Sequence, residues 1–261
     1  MIDRESGFDP LLLTRVEEAG LNASAPPQQL LIDGWLVRFS PGKARRARSI
    51  NAVASGRLPL ADKLALCQRV FDEAGLPMLV RITPFSQPEG LDEQLARIGM
   101  RSFERTRVMV NGQPQVLRSE PMPAGMTLTP IGHEAFAQTI GMLRGSSIAQ
   151  RQAHGQRLVN SPVPFRAHVL KRDGEVVACG QYAQEGALVG LYDVFTAPSA
   201  RGQGLARLLC GHLLAQAAAR GATTAYLQVD GDNQPARAVY RRLGFADAYT
   251  YHYRSADPTA A

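Results

Sequence analysis

With 261 residues, 45% of them hydrophobic, 20% charged and 7% aromatic, the chain has the composition of a folded globular protein of one or two domains, which excludes disordered and fibrous proteins. The net charge of +6 fits either ordinary solubility or an anionic partner such as a phosphorylated ligand. No apolar run reaches the roughly 18–20 residues of a membrane span, and the polar first residues do not predict a secretory signal, so we expect no membrane partner.

The first half of the chain is predicted to contain a helix and two strands. Apolar periodicity predicts the helix over residues 61–74 and the strands over residues 78–83 and 107–110. Residues 43–48 form a basic run, KARRAR, which is either a solvated surface or a contact for an anionic acceptor. Aromatic residues do not alternate with these charges in the way that base stacking requires, so nucleic acid is not expected.

A linker is predicted near the middle of the chain. Residues 119–125 include two prolines and a glycine, which suits a connection better than the interior of a helix or strand. We therefore predict two domains, one over residues 1–119 and the other over residues 120–261.

The second half alternates strands and helices. A β-hairpin is predicted around Asp173-Gly174, because an Asp-Gly pair between two apolar runs favours a type I′ turn. Three further strands and two helices follow, with the strands over residues 187–196, 223–229 and 249–253 and the helices over residues 204–220 and 235–243. Together these elements predict an α/β (α+β) protein with a mixed sheet flanked by helices.

The two halves are similar to each other at an offset of 145 residues. This offset lays the helix over residues 61–74 on the helix over residues 204–220, and it aligns Gly99 with Gly244 just before the last strand of each half. One offset that matches several elements indicates a tandem duplication. A chance likeness between two α/β halves is the alternative.

The three cysteines, Cys67, Cys179 and Cys210, are odd in number and far apart in sequence. They contain no Cys-x-x-Cys pair, which argues against a disulfide framework and against a zinc site. A reducing, cytoplasmic location is therefore expected. No cluster of His, Cys, Asp and Glu has the spacing of metal ligands, so no metal is expected.

A glycine-rich loop with Arg201, Gly202 and Gly204 opens the helix over residues 204–220. Glycines let the backbone approach a ligand, and the first amides of a helix have no partner within the helix, so the loop suits a phosphate or diphosphate. The chain lacks the Gly-x-x-x-x-Gly-Lys-Ser/Thr pattern of a P-loop. A dinucleotide-binding pattern fits only in part, because Arg207 stands where its third glycine belongs.

A second motif lies downstream of this loop. It consists of Asn233, Ala236, Tyr240 and the pair Gly244-Phe245. Residues 201–206 also match the pattern Arg/Gln-x-x-Gly-x-Gly/Ala. With these two motifs the sequence resembles the GNAT superfamily of acyl-CoA-dependent N-acyltransferases. The likeness covers about residues 126–253, and it is specific because both motifs occur at the usual separation and in the expected structural context.

The resemblance implies a site for coenzyme A, with acetyl-CoA as the acyl donor. The backbone amides of the loop would hold the CoA diphosphate, with Arg201 adding charge, and the loop comprises Gly202, Gln203, Gly204, Leu205 and Ala206. In this family the preceding strand bulges and diverges from its neighbour, and here that part is Val194, Phe195 and Thr196. Its backbone would pair with the pantetheine arm and direct an amide at the thioester oxygen. Asn233 would bond the pantetheine.

Tyr240 matches the general acid that protonates the leaving thiolate, with a packed helix tyrosine as the alternative. A phenol of pKa ~10 can donate to a thiolate whose conjugate acid has a pKa of ~8.5, although the transfer is mildly uphill. Gln228 stands where many family members carry a glutamate base. Asp193 is therefore the candidate base, or else a structural residue, and the other options are a water chain, Glu185, His168 and His154.

Applied to the first half, the same offset indicates a lost CoA site. Pro59 falls on Gly204 and has no amide hydrogen to offer, and Leu95 falls on Tyr240. The resemblance then implies a degenerate GNAT-like domain over residues 1–119 that supports the catalytic GNAT domain over residues 120–261 or walls its acceptor pocket.

The predicted function is transfer of an acyl group, most simply acetyl, from CoA to an amine by direct attack in a ternary complex. A small-molecule amine is preferred over a protein amine, and residues of about 140–165, which vary within the family, leave the acceptor open. A CoA-binding sensor or scaffold without turnover is the alternative, which Gln228 favours and Tyr240 opposes. A nucleotide-dependent oxidoreductase is a third and weaker reading. The oligomeric state stays open.

Overall fold

The computed structural model describes residues 7–41, 44–114 and 119–259, so that Lys43 of the basic run lies outside the described residues. Seven α-helices lie in these ranges: α1 (Pro10–Ala23), α2 (Leu60–Glu73), α3 (Leu91–Arg97), α4 (His133–Leu143), α5 (Ile148–Val159), α6 (Leu205–Ala218) and α7 (Gln234–Arg242). Eleven strands accompany them: β1 (Gln29–Ile32), β2 (Trp35–Arg38), β3 (Ile50–Ala52), β4 (Val80–Ile82), β5 (Arg101–Asn111), β6 (Met126–Ile131), β7 (Phe165–Arg172), β8 (Glu175–Glu185), β9 (Leu188–Thr196), β10 (Thr224–Asp230) and β11 (Ala246–Ser255).

All eleven described strands form one continuous mixed sheet, in the order β1-β2-β3-β4-β11-β5-β10-β9-β8-β7-β6. The pairs β3–β4 and β9–β10 are parallel, and the other neighbouring pairs are antiparallel. The predicted mixed sheet flanked by helices is therefore confirmed. What the sequence did not predict is that the strands of both halves join in a single sheet.

The last strand of each half pairs with the other half. β5 lies between β10 and β11, with Asn111 opposite Ala225, whereas β11 lies against β4, with His252 opposite Ile82. The centre of the sheet is the antiparallel β5–β11 pair. The predicted boundary at residue 120 falls between β5 and β6 and stays a prediction, and hydrogen bonds of the sheet connect residues on both sides of it.

The internal repeat is visible in the elements themselves. At the offset of 145 residues, Leu60–Glu73 of α2 falls on Leu205–Ala218 of α6, and the first residue of β5 falls on the first residue of β11. Gly99 and Gly244 both follow a helix and both have a positive φ, of 88° and 79°. Such agreement over a helix, a turn and a strand supports the duplication over chance likeness.

The helices lie on both faces of the sheet. On β10, Ala225 and Leu227 pack in the core beneath α6, whereas Tyr226 packs with α1 on the opposite face. Helices α4 and α5 share that opposite face, where Phe136 and Leu158 pack against β7 and β8. We call this side, covered by α1, α4 and α5, the α1 face. Side chains alternate between the two faces because successive residues of a strand point in opposite directions.

Local sequence signals account for several of these elements. The turn between β7 and β8 contains Asp173 and Gly174 with φ of 49° and 90°, as a two-residue hairpin with an Asp-Gly turn requires. Helix α5 begins with a capping box, in which the Ser147 hydroxyl accepts from the amide of Gln150 and the Gln150 side chain accepts from the amide of Ser147.

Candidate active site

The two parallel strands in the middle of the second half diverge. Register pairing between β9 and β10 ends at Leu191 opposite Leu227, although β9 continues to Thr196 and β10 to Asp230. From Tyr192 onward, β9 therefore has no partner on its β10 side. We call this opening the β9/β10 splay. Unpaired strand edges need hydrogen-bond partners, so the splay can take an extended ligand as an additional strand-like segment.

A β-bulge lies at the start of the splay. Between β8 and β9, Cys179 is opposite Phe195 and Gln181 is opposite Tyr192, so β9 has one extra residue in this interval. Asp193 lies in the bulge with a φ of +52°, a left-handed conformation that costs a non-glycine residue about 1 kcal/mol. The structure thus has the bulge and the divergence that the resemblance implied for Val194, Phe195 and Thr196.

The loop before α6 is open to solvent. Gly202 and Gly204 have φ of 77° and 75°, and a Cβ atom built on either one would meet no protein atom within 4 Å. No side chain caps the N-terminus of α6, whose N-cap residue is Gly204. The first amides of Leu205 and Ala206 are thus available to an external acceptor, and the helix dipole favours an anion there.

Arginines surround this loop but differ in their partners. The guanidinium of Arg201 lies 5.6 Å from the centre of the Phe195 ring and is exposed. Arg172 donates to Oε1 of Gln203 at 2.8 Å, which fixes the second residue of the loop. Arg207 forms an ion pair with Glu120. Arg201 is therefore the guanidinium that is best placed to add charge to the loop.

Asn233 and Tyr240 lie on α7, which follows β10. Asn233 is the exposed N-cap residue, and its side-chain oxygen accepts from the amide of Ala236 at 3.1 Å, so its amide group remains able to donate. Tyr240 is half-buried and packs edge-on against Phe245, with ring centres 6.0 Å apart. Burial, and secondarily the nearby Cys210, raises the pKa of Tyr240. Tyr240 therefore stays protonated, and transfer of its proton to a thiolate costs more free energy than it would for a phenol of ordinary pKa.

Asp193 is held as an anion by several neighbours on the α1 face. Its carboxylate accepts from Arg144 at 3.0 Å and from Gln181 at 2.9 Å. Nε2 of His154 lies 3.2 Å from it, close enough for an ion pair but not aligned for a hydrogen bond. Burial alone would raise the pKa of Asp193, yet the contact with His154 and the charges of nearby arginines hold it far below its ordinary value. A carboxylate of this kind is a weak proton acceptor.

Gln228, which stands where the resemblance implies a glutamate base, is occupied by contacts to Arg46 of the first half and to Tyr251 of β11. Its side-chain oxygen accepts from Nη1 of Arg46 at 2.6 Å and from the Tyr251 hydroxyl at 2.8 Å. Of the other candidate bases, Glu185 accepts from Asn22 of α1 at 2.9 Å, and burial lowers the pKa of His168. Sequence reasoning missed the place of Arg46 at the splay, although the basic run around it was visible.

The corresponding loop of the first half is closed by a carboxylate of its own chain. Asp33 accepts from the amides of Arg57 and Leu58 at 2.8 and 2.9 Å, just ahead of α2. Lys63 lies 2.8 Å from the same carboxylate. The hydrogen bond from Lys63 and the two backbone amides lower the pKa of Asp33 to about 2. Asp33 thus takes the place where an external anion would bind, and Pro59, the N-cap residue of α2, offers no amide hydrogen.

The cysteines and the remaining ionisable groups do not form a second centre within the described residues. Cys67, Cys179 and Cys210 are buried free thiols, and burial raises their pKa values to about 11, 12 and 12. Protonated, buried thiols are poor nucleophiles. Over the described ranges, His, Cys, Asp and Glu side chains form no group of three that could hold a metal ion. In the same ranges, every helix is too short or too polar to cross a bilayer.

Comparisons with known proteins agree with this geometry. Residues 139–245 match the model of the acetyltransferase (GNAT) family. Over 103 residues the chain is 36% identical to a mycothiol acetyltransferase of Streptomyces avermitilis. The aligned stretch covers 38% of this chain and 33% of that protein. This chain therefore spans about a third of the length of that curated relative.

Two solved structures share the fold over most of the chain. A GCN5-related N-acetyltransferase from Kribbella flavida has a TM-score of 0.68 and 21% identity, with 94% of this chain and 95% of that chain covered. A tandem GNAT protein from the clavulanic acid biosynthesis pathway has a TM-score of 0.61 and 17% identity, with 77% and 72% covered. The motif residues, the bulged and diverging strand and the family match lead to one conclusion: over residues 139–245, this chain carries a domain of the GNAT acetyltransferase family.

Proposed function

We propose that the protein is an acyl-CoA-dependent N-acyltransferase that moves an acetyl group from acetyl-CoA to a small-molecule amine. The observation that carries this proposal is the open, uncapped N-terminus of α6 at the end of the β9/β10 splay. A diphosphate fits the free amides and the positive-φ glycines, and the unpaired edge of β9 fits the amides of a pantetheine arm. In this proposal, the loop from Gly202 to Ala206 and Arg201 hold the diphosphate, and Val194, Phe195, Thr196 and Asn233 bond the arm.

The chemistry divides among backbone and side chains. Acetyl-CoA, when bound, supplies a thioester carbonyl as the electrophile. The neutral amine attacks it, the carbon–sulfur bond breaks and the thiolate leaves. A free amide of β9 stabilises the negative charge that develops on the carbonyl oxygen. Tyr240 donates its proton to the leaving sulfur and recovers one from solvent.

The amine must lose a proton, and we propose that the Asp193–His154 pair accepts it. Asp193 has too low a pKa to hold the proton itself. Nε2 of His154 lies 3.2 Å from that carboxylate, and in this proposal His154 is the group that takes the proton. Asp193 is then a positioning and electrostatic residue, and direct proton transfer to its carboxylate is the competing form of the same proposal.

The test is CoA release from acetyl-CoA with a panel of small amines, comparing the wild type with Tyr240→Phe. We expect a loss in kcat of about 10²-fold or more with an unchanged Kd for acetyl-CoA by calorimetry. Tyr182→Phe is the matched control, because the Tyr182 hydroxyl is fully buried and has no hydrogen-bond partner among the described residues.

Three outcomes decide the matter. Turnover that Tyr240→Phe abolishes and Tyr182→Phe preserves supports the enzyme. Tight binding of acetyl-CoA without turnover of any amine, including lysine peptides, favours the CoA-binding sensor or scaffold instead. An increase in thermal stability with NAD(P) but not with CoA would overturn both the enzyme and the CoA-binding sensor.

A further inference from the structure

The α1 face carries unbalanced positive charge next to the β9/β10 splay. Glu17 is buried on this face and Asp193 is partly buried there, and both carboxylates are engaged. Glu17 pairs with Arg81 and accepts from the Tyr249 hydroxyl at 2.7 Å. Asp193 accepts from Arg144 and Gln181 and contacts His154. Other cations on this face feel these two negative charges, but a cation without a direct ion pair to a carboxylate remains open to an anionic ligand.

Arg46 is such a cation. It reaches the second half from a short 3-10 helix over Arg45–Ala47, where Nη1 donates to Oε1 of Gln228 at 2.6 Å and lies 3.4 Å from the Tyr251 hydroxyl. Both partners are neutral. Nε of Arg46 is buried and has no hydrogen-bond partner among the described residues. A buried donor without a partner is costly, and it marks a place where a ligand can contribute the missing acceptor.

Arg157 is the second cation. It lies on α5 three residues after His154, so both side chains leave the same side of the helix, toward Asp193. Asp193 attracts it, but burial and the proximity of Arg46 lower the pKa of Arg157. In the part of the chain that the structure describes, neither Arg46 nor Arg157 forms an ion pair with a carboxylate.

The position of these two arginines relates them to the reaction. Gln228, which holds Arg46, follows directly after the last β9–β10 pair, Leu191 opposite Leu227. Asp193 lies two residues after Leu191 on β9, and its charge acts on Arg157. Arg46 thus contacts β10, and Arg157 lies near Asp193 of β9, where the splay begins, on the face away from α6. A planar carboxylate is the ligand that guanidinium groups bind best, through paired charged hydrogen bonds.

We propose that the acceptor amine carries a carboxylate, which Arg46 and Arg157 bind at the start of the β9/β10 splay, so that the acceptors are amino acids. This inference rests on the proposed acyl transfer and makes it more specific. The carboxylate neutralises the two unpaired guanidinium groups, supplies an acceptor for Nε of Arg46, and leaves the amine of the same molecule free to face the Asp193–His154 pair.

The test compares each of the common amino acids with the amino alcohol in which the carboxylate is replaced by a hydroxymethyl group. The two amines have similar basicity, so a difference in rate reports the carboxylate. For the preferred amino acid we expect kcat/KM to exceed that of its amino alcohol by about 10²-fold or more. In Arg157→Gln this ratio should fall at least tenfold while the Kd of acetyl-CoA stays unchanged. Arg69→Gln, at an exposed position of α2, is the matched control and should keep the wild-type ratio.

A second measurement does not depend on turnover. Calorimetry on the CoA-saturated protein compares the N-acetyl amino acid with the N-acetyl amino alcohol, and we expect at least tenfold tighter binding of the acid, lost in Arg157→Gln. If amino alcohols or other amines without a carboxylate are acetylated as fast as amino acids, this inference is wrong, although the proposed acyltransferase activity is supported. Absence of any acetyl-CoA binding would overturn the proposed function, and equal affinity for the two acetylated ligands would overturn the carboxylate site.

Discussion

The state of Asp193 can be measured through stability. Asp193→Asn removes the charge but keeps the shape, and asparagine tolerates the positive φ of this position. The carboxylate accepts hydrogen bonds from the charged Arg144 and from Gln181, and a hydrogen bond to a charged group contributes about 1.5–3 kcal/mol. Because the Asp193 side chain is 22% exposed and His154 is not aligned, we expect a total loss of about 2 kcal/mol in the free energy of unfolding at pH 7.

The same change predicts a pH dependence. The pKa of Asp193 is lower in the folded protein than in the unfolded chain, so its stabilisation is present above about pH 4 and is lost as the pH falls. The difference between wild type and Asp193→Asn should therefore shrink below about pH 4, by up to about 1.4 kcal/mol per pH unit. Urea unfolding at pH 7 and at lower pH, followed by the fluorescence of buried Trp35, measures both numbers.

Asp173→Asn is the matched control, because Asp173 also has a positive φ but is exposed on a hairpin turn. Its effect should stay within about 0.5 kcal/mol at either pH. A loss at Asp193 no larger than this control at pH 7, or a difference that grows on acidification, would contradict a carboxylate held as an anion. That outcome would restore Asp193 as a direct proton acceptor.

Three further predictions concern the loop, the buried ion pair and the sheet. Gly204→Ala and its control Gly99→Ala impose the same left-handed strain of about 1 kcal/mol, because both glycines have a positive φ. Calorimetry should find the affinity for acetyl-CoA reduced tenfold or more in Gly204→Ala only. Equal affinities of the two variants would show that the loop amides do not bind the ligand. Glu17→Gln leaves Arg81 buried without a counter-charge, so urea unfolding should show a loss of about 3–5 kcal/mol, and a loss under 1 kcal/mol would contradict a buried pair. A fragment over residues 120–261 lacks β5 and should fail to give a cooperative unfolding transition, whereas a monomeric, cooperative fragment would show that β5 is dispensable.

Much of the second half followed from local patterns. The leucine stripe of α6 and the alternating or apolar runs of β9 and β10 are signals within a short window, and the Asp-Gly turn fixed the hairpin of β7 and β8. Helices α4 and α5 were missed, although the Ser147–Gln150 capping box was a readable start for α5.

The exchange of β5 and β11 could not be predicted in this way. A strand records its alternation in the sequence but not its neighbour, because either half offers β5 an equivalent strand, β4 or β10, with which it can pair antiparallel. The first-half loop was a similar case. Pro59 indicated that a backbone donor was lost, but only the fold shows that the Asp33 carboxylate accepts from the amides of Arg57 and Leu58. Likewise, the contact of Arg46 with Gln228 joins residues about 180 positions apart.

The exchanged strands also affect how the protein is made. β4 emerges from the ribosome roughly 160 residues before β11, the strand that completes its edge. Until then, the nascent first half presents an unsatisfied row of amides and carbonyls, the kind of edge through which neighbouring chains on a polysome associate. The native pairing of β4 has to wait for β11 during translation, so we expect the yield of this protein to depend on translation speed and chaperone supply between the two strands.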